Sequence, residues 1–62
     1  MAKLVIKYIS IDPYYPTHTQ TFIDSNIDDC WDQAIDYENW LGRNHPAGIK
    51  CIYKPELLIE KF

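Results

Sequence analysis

Cys30, Cys51, His18 and His45 are the side chains of this sequence with the chemistry of nucleophiles and metal ligands. A thiolate beside an imidazole can attack a carbonyl, and the same pair of residue types supplies the usual ligands of zinc. The spacing fits neither use. No Cys-x-x-Cys pair occurs, and Cys30 and Cys51 are expected on core-facing sides of a helix and a strand. Both glycines, Gly42 and Gly48, fall at a helix exit, so no phosphate-cradling loop is present. We therefore expect no catalytic residue, no metal and no cofactor.

The acids form a clearer pattern. Asp28, Asp32 and Asp36 recur every fourth residue, which stacks them on one side of a helix, with Asp29 and Glu38 nearby. Carboxylates in a first turn are favoured by the helix dipole, by about 0.3–1 kcal/mol each. That benefit has faded by Asp36, where like charges four apart are mildly destabilising. Arg43 follows only after Gly42, so nothing basic on the helix relieves them. Such a ladder is either a solvated face or a stripe displayed to a basic partner. It is a poor general acid, because exposure leaves nothing to shift a carboxyl pKa.

Two aromatic features raise the same question. Trp31 belongs to the apolar side of the helix, whereas Trp40 lies off it and either covers a sheet edge or anchors a partner. Tyr14 and Tyr15 sit between Pro13 and Pro16, a stiff tip with little entropy to lose on binding. One ring is expected to fold inward and the other to stand out.

Size and charge set the frame for these residues. A chain of 62 residues is read as one domain, 1–62, that buries only about 60% of its unfolded surface. Two Trp, five Tyr and two Phe compensate for that shortage by their large areas. A net charge of −3 argues against general affinity for nucleic acid and suits a basic protein partner. Lys7 interrupts the apolar N-terminus, and no stretch approaches the ~20 apolar residues that span a bilayer. No membrane association is expected, and a cytoplasmic location with reduced thiols is.

The elements that must position these groups follow from periodicity. Residues 3–11 read as a strand, with Leu4, Ile6 and Tyr8 on one side and Lys3, Val5, Lys7 and Ile9 on the wetter other. The Pro-Tyr-Tyr-Pro tip breaks it, and residues 17–23 return as the second strand of an antiparallel hairpin. Ser25 is the expected helix cap, with Asp28 as the partner of a weak capping box. Ile27, Cys30, Ala34, Tyr37 and Leu41 form the helix's apolar stripe, widened by Trp31 and Ile35. Gly42 is expected to turn left-handed and end the helix. Residues 49–54 read as a third strand with Ile49, Cys51 and Tyr53 facing inward, ended by Pro55. The segment 56–62 reads as either a fourth, edge strand or a helical turn. The fold class is therefore α+β, β-β-α-β with one helix across one face of a small sheet.

From Ser25 to Pro55 the sequence resembles the small RNA-polymerase-inhibitor proteins of T-odd bacteriophages. Asp28, Asp29, Ala34 and Trp40 on the helix, then Pro46-Ala47-Gly48, then Lys54-Pro55 carry the resemblance. It implies a binding-only protein that occupies the largest subunit of a host's polymerase and blocks open-complex formation. Lys50 and Lys54 stand where that family uses arginines, which differ in bidentate contacts. The expected function is thus a non-catalytic binding module, a phage-type inhibitor or adaptor. Its contact residues would be Asp28, Asp32, Asp36, Trp40, Tyr14, Tyr15, Lys50 and Lys54. Two rivals remain: an acidic decoy of nucleic acid, of the anti-CRISPR or anti-restriction type, and a subunit whose strand edge pairs with its own copy.

Overall fold

Alternation along the first strand decides the architecture. In the computed structural model, which describes all 62 residues, β1 (Ala2–Ser10) is the central strand of the sheet. Leu4, Ile6 and Tyr8 are buried beneath the helix, and Lys3, on the opposite side, is exposed. β2 (His18–Asp24) pairs antiparallel with it from Ala2↔Asp24 to Tyr8↔His18, as the hairpin reading requires. β3 (Tyr53–Lys61) pairs antiparallel on the other side, giving the order β2-β1-β3. One helix, α1 (Ile27–Leu41), packs on one face, so the fold is α+β. No helix is long and apolar enough to cross a membrane.

The core follows from two apolar faces that meet. Cys30 and Ala34 on α1 are fully buried against Ala2, Leu4, Ile6, Tyr8 and Phe22 of the sheet, with Ile27, Trp31, Tyr37 and Leu41 around them. Ile35 departs from the expected stripe and is exposed among the acids. Burying Cys30 also satisfies its thiol, which donates to the Ala2 carbonyl at 3.5 Å.

Several local expectations shift. The cap is Asn26, not Ser25: its Oδ1 accepts from Asp29 N at 2.9 Å while its Nδ2 donates to Asp29 Oδ2 at 3.0 Å. The box thus slides one residue, because Ser25 N and Oγ are already bonded to Asp24 Oδ1. Gly42 is not left-handed, with φ −91. A Cβ there would overlap the Ile49 nitrogen, so glycine is needed for close approach. The left-handed residue is Gly48, with φ 69.

The expected strand over residues 49–54 is replaced by one turn of 3-10 helix, Gly48–Cys51. The physical reason is spacing three: Ile49 and Ile52 fall on one side of such a turn, where Ile52 is fully buried and Ile49 packs on the core. A strand would have sent them to opposite faces. Cys51 consequently points outward and is exposed, contrary to its expected place on a core face. β3 begins only at Tyr53 and runs through Pro55, which does not end it. β3 is an edge strand, where a missing N–H is tolerated. The two C-terminal segments read separately are therefore one strand.

Candidate partner-binding surface

Helical spacing places the acids as expected. Asp28, Asp32 and Asp36 are all exposed on the side of α1 turned away from the sheet, with exposed Ile35 between them. Asp29 is half-buried and occupied by the cap. The last turn of the helix holds no basic residue. One turn beyond Asp36, Trp40 is 56% exposed, so it does not cover the sheet edge. Its ring stacks on Tyr37, centroids 6.1 Å apart at 23°. The Arg43 guanidinium lies 4.3 Å from the Trp40 centroid and donates to the Trp40 carbonyl at 2.6 Å. Trp40 is thus an exposed aromatic held from two sides, and the acid row leads directly to it. Arg43 and Ile35 are members of this surface that the sequence did not reveal. An apolar residue among acids at i,i+3 was the available signal for Ile35, and the i,i+3 step from Trp40 for Arg43.

The tip divides as expected. Tyr14 is 90% exposed, whereas Tyr15 packs against the core. Tyr15 Oη lies 3.0 Å from His45 Nε2, their rings edge to face at 5.7 Å. His18 is held in the same aromatic cluster, 5.1 Å from Tyr53 and 5.4 Å from Tyr8. Its Nδ1 lies 3.1 Å from the Pro16 carbonyl, which can only accept, so Nδ1 carries the proton. In the neutral imidazole Nε2 then accepts from the Tyr37 hydroxyl, 2.7 Å away. Both imidazoles are bound into the packing of the hairpin on the helix exit. No three His, Cys, Asp or Glu side chains converge in a ligand set, and the surface holds no pocket.

Burial governs the perturbed hydroxyls. Tyr8, fully buried, has its pKa pushed well up by desolvation and by the Glu38 carboxylate, to which it donates at 3.2 Å. Tyr37 and Tyr53 are raised by desolvation first and by neighbouring tyrosines second. Asp24 is lowered, chiefly by the Ser25 N–H and then by Gln33, whose Nε2 donates to it at 2.7 Å. None of these groups lies in the row Asp28, Asp32, Asp36.

The lysines occupy other surfaces. Lys50 is exposed on the 3-10 turn. Lys54 lies opposite Ile9, so it shares the open face of the sheet with Lys3, Lys7 and Lys61. The eight expected contact residues therefore do not form one patch. Asp28, Asp32, Asp36 and Trp40 come together, Tyr14 stands at the hairpin tip, Tyr15 is partly internal, and Lys54 faces away from the helix. Pro46-Ala47-Gly48, part of the resemblance noted above, leads into the 3-10 turn rather than a strand. Comparison with family models, curated proteins and solved structures finds no match.

Proposed function

We propose that this chain is a non-catalytic binding module that docks the outer face of α1 onto a basic surface of another protein, as a phage-type inhibitor or adaptor. The observation that carries the reading is the continuous strip Asp28, Asp32, Ile35, Asp36 and Trp40, exposed throughout. Each part has a separate use. Fixed like charges steer a basic partner and raise the association rate. Trp40, immobilised by Tyr37 and Arg43, offers apolar area without further loss of rotamer freedom.

Bacterial RNA polymerase is the target implied by the resemblance of the second half. It is tested by adding the purified chain to purified polymerase and a promoter fragment, reading complex formation by gel shift and open-complex formation by permanganate footprinting. The reading expects a stable protein–protein complex and loss of the open-complex footprint, both weakened by Trp40→Ala. Full footprints at saturating chain, with no complex, remove polymerase as the target. They leave the acidic face to be tested against other proteins.

A further inference from the structure

The helix packs mainly on β1 and β2 and reaches β3 beyond Tyr53 at one point, where Trp31 Nε1 donates to Glu60 Oε2 at 2.6 Å. From Lys54 to Lys61 every residue of β3 is exposed, including Leu57 and Leu58 at 48% and Ile59 at 44%. Phe62 just beyond is 83% exposed. β3 is also an edge, so one row of its backbone N–H and C=O groups has no strand beside it. A strand with an exposed Leu57-Leu58-Ile59 centre and one unpaired edge is a template for strand addition.

The sequence of β3 says what adds to it. Opposite residues of an antiparallel pair share a face, so pairing with β1 assigns each side chain. Leu57 and Glu60 lie opposite Ile6 and Leu4 on the helix side; Glu56, Ile59 and Lys61 lie opposite Lys7, Val5 and Lys3 on the open side. The irregularity between Val5 and Ile6 leaves Leu58 as an extra residue and reverses the alternation. Two copies related by a two-fold axis must match helix side to helix side. The register that sets Glu56 against Lys61 of the second copy does so throughout: Leu57 then meets Glu60, and Leu58 meets Ile59. Sliding two residues one way sets Lys54 against Lys61, a repulsive pair on each side of the axis. Sliding two residues the other way sets Ile59, from the open face, against Glu60, from the helix face.

Charge and face therefore select one arrangement. We infer that two copies of this chain pair antiparallel through the edges of β3, giving a continuous six-stranded sheet with reciprocal Glu56–Lys61 pairs. Leu58 and Ile59 of both copies meet at the two-fold axis. Pro55, which lacks an N–H, falls opposite the exposed ring of Phe62 at the end of the paired segment, where a donor matters least. Both helices lie on the same side of the joined sheet, and their acidic faces remain free. This surface is separate from the α1 strip, so its test is independent of the function proposed above.

Sedimentation equilibrium of the full chain, up to about 1 mM, reads the dimer directly. Glu56→Lys and Lys61→Glu each place like charges on both symmetric pairs and are expected to weaken the dimer about tenfold. Combining Glu56→Lys with Lys61→Glu exchanges the partners and is expected to restore it. Both positions are exposed, and far-UV circular dichroism verifies that each variant keeps its fold. A monomer at all concentrations overturns the inference, and so does a dimer that neither single reversal weakens.

Discussion

The hydroxyls of Tyr8, Tyr37 and Tyr53 sit in one aromatic cluster, and all three hold their protons more tightly than a free phenol. Burial disfavours the phenolate, and for Tyr8 the nearby Glu38 carboxylate adds to it. A group whose folded pKa is raised contributes its full stability below the unfolded value and loses it as pH rises toward the folded one. We expect resistance to urea to be flat near neutral pH and to fall above about pH 10, where unfolded tyrosine ionises. Phenolate absorbance from Tyr8, Tyr37 and Tyr53 should then appear together with loss of structure. If Tyr8, Tyr37 and Tyr53 ionise near pH 10 while the fold stays intact, the buried cluster is misplaced. The same scale exposes a cost in the acid row. Asp32 and Asp36 repel at i,i+4 with no cation on the helix to offset them, so the folded state gains nothing from that pair.

Elements were legible where one periodicity ruled. β1, β2 and the stripe Cys30, Ala34, Tyr37 could be read directly, because burial on one face imposes a period of two or of 3.6. The segment after α1 could not. Ile49, Cys51 and Tyr53 mimic strand alternation, while the spacing of Ile49 and Ile52 favours a 3-10 turn, and only the close approach allowed by Gly42 decides between them. Pro55 misled for a related reason, since a proline ends a central strand but is accommodated on an edge. Of the candidate surface, the acid row was visible from spacing. The positions of Trp40 and Arg43 were not, because they depend on where Tyr37 packs. The two accounts of residues 49–52 differ in a measurable way. The structure expects Ile52→Ala to cost about 2–5 kcal/mol in chemical denaturation and Cys51→Ser to be nearly neutral. A large loss at Cys51 with little at Ile52 would restore the strand.

At the scale of the whole molecule, charge is segregated. The outer side of α1 carries Asp28, Asp32 and Asp36, and the open side of the sheet carries Lys3, Lys7, Lys54 and Lys61 beside Glu56. Within extents of 34 × 18 × 11 Å, a single helix-on-sheet layer puts these two charged faces on opposite sides of the chain, with the β3 edge between them. A net charge of −3 hides this division, so composition alone understates both the acidic and the basic face. On the proposed function a basic partner would meet the helix side, whereas an acidic one would have to approach the sheet.

The account turns on that helix side, and one comparison tests it most directly: capture from bacterial lysate with the natural chain and with Asp32→Lys plus Asp36→Lys, quantified by mass spectrometry. The reversals turn the repulsion between positions 28 and 32 into an attraction and keep one like-charge pair at 32 and 36, so the variant should be about as stable as the natural chain. Circular dichroism verifies its fold, and a lost contact is then not due to unfolding. The account expects one basic-surfaced protein retained by the natural chain, released by high salt and missing from the variant's capture. Identical captures by the two chains would contradict it.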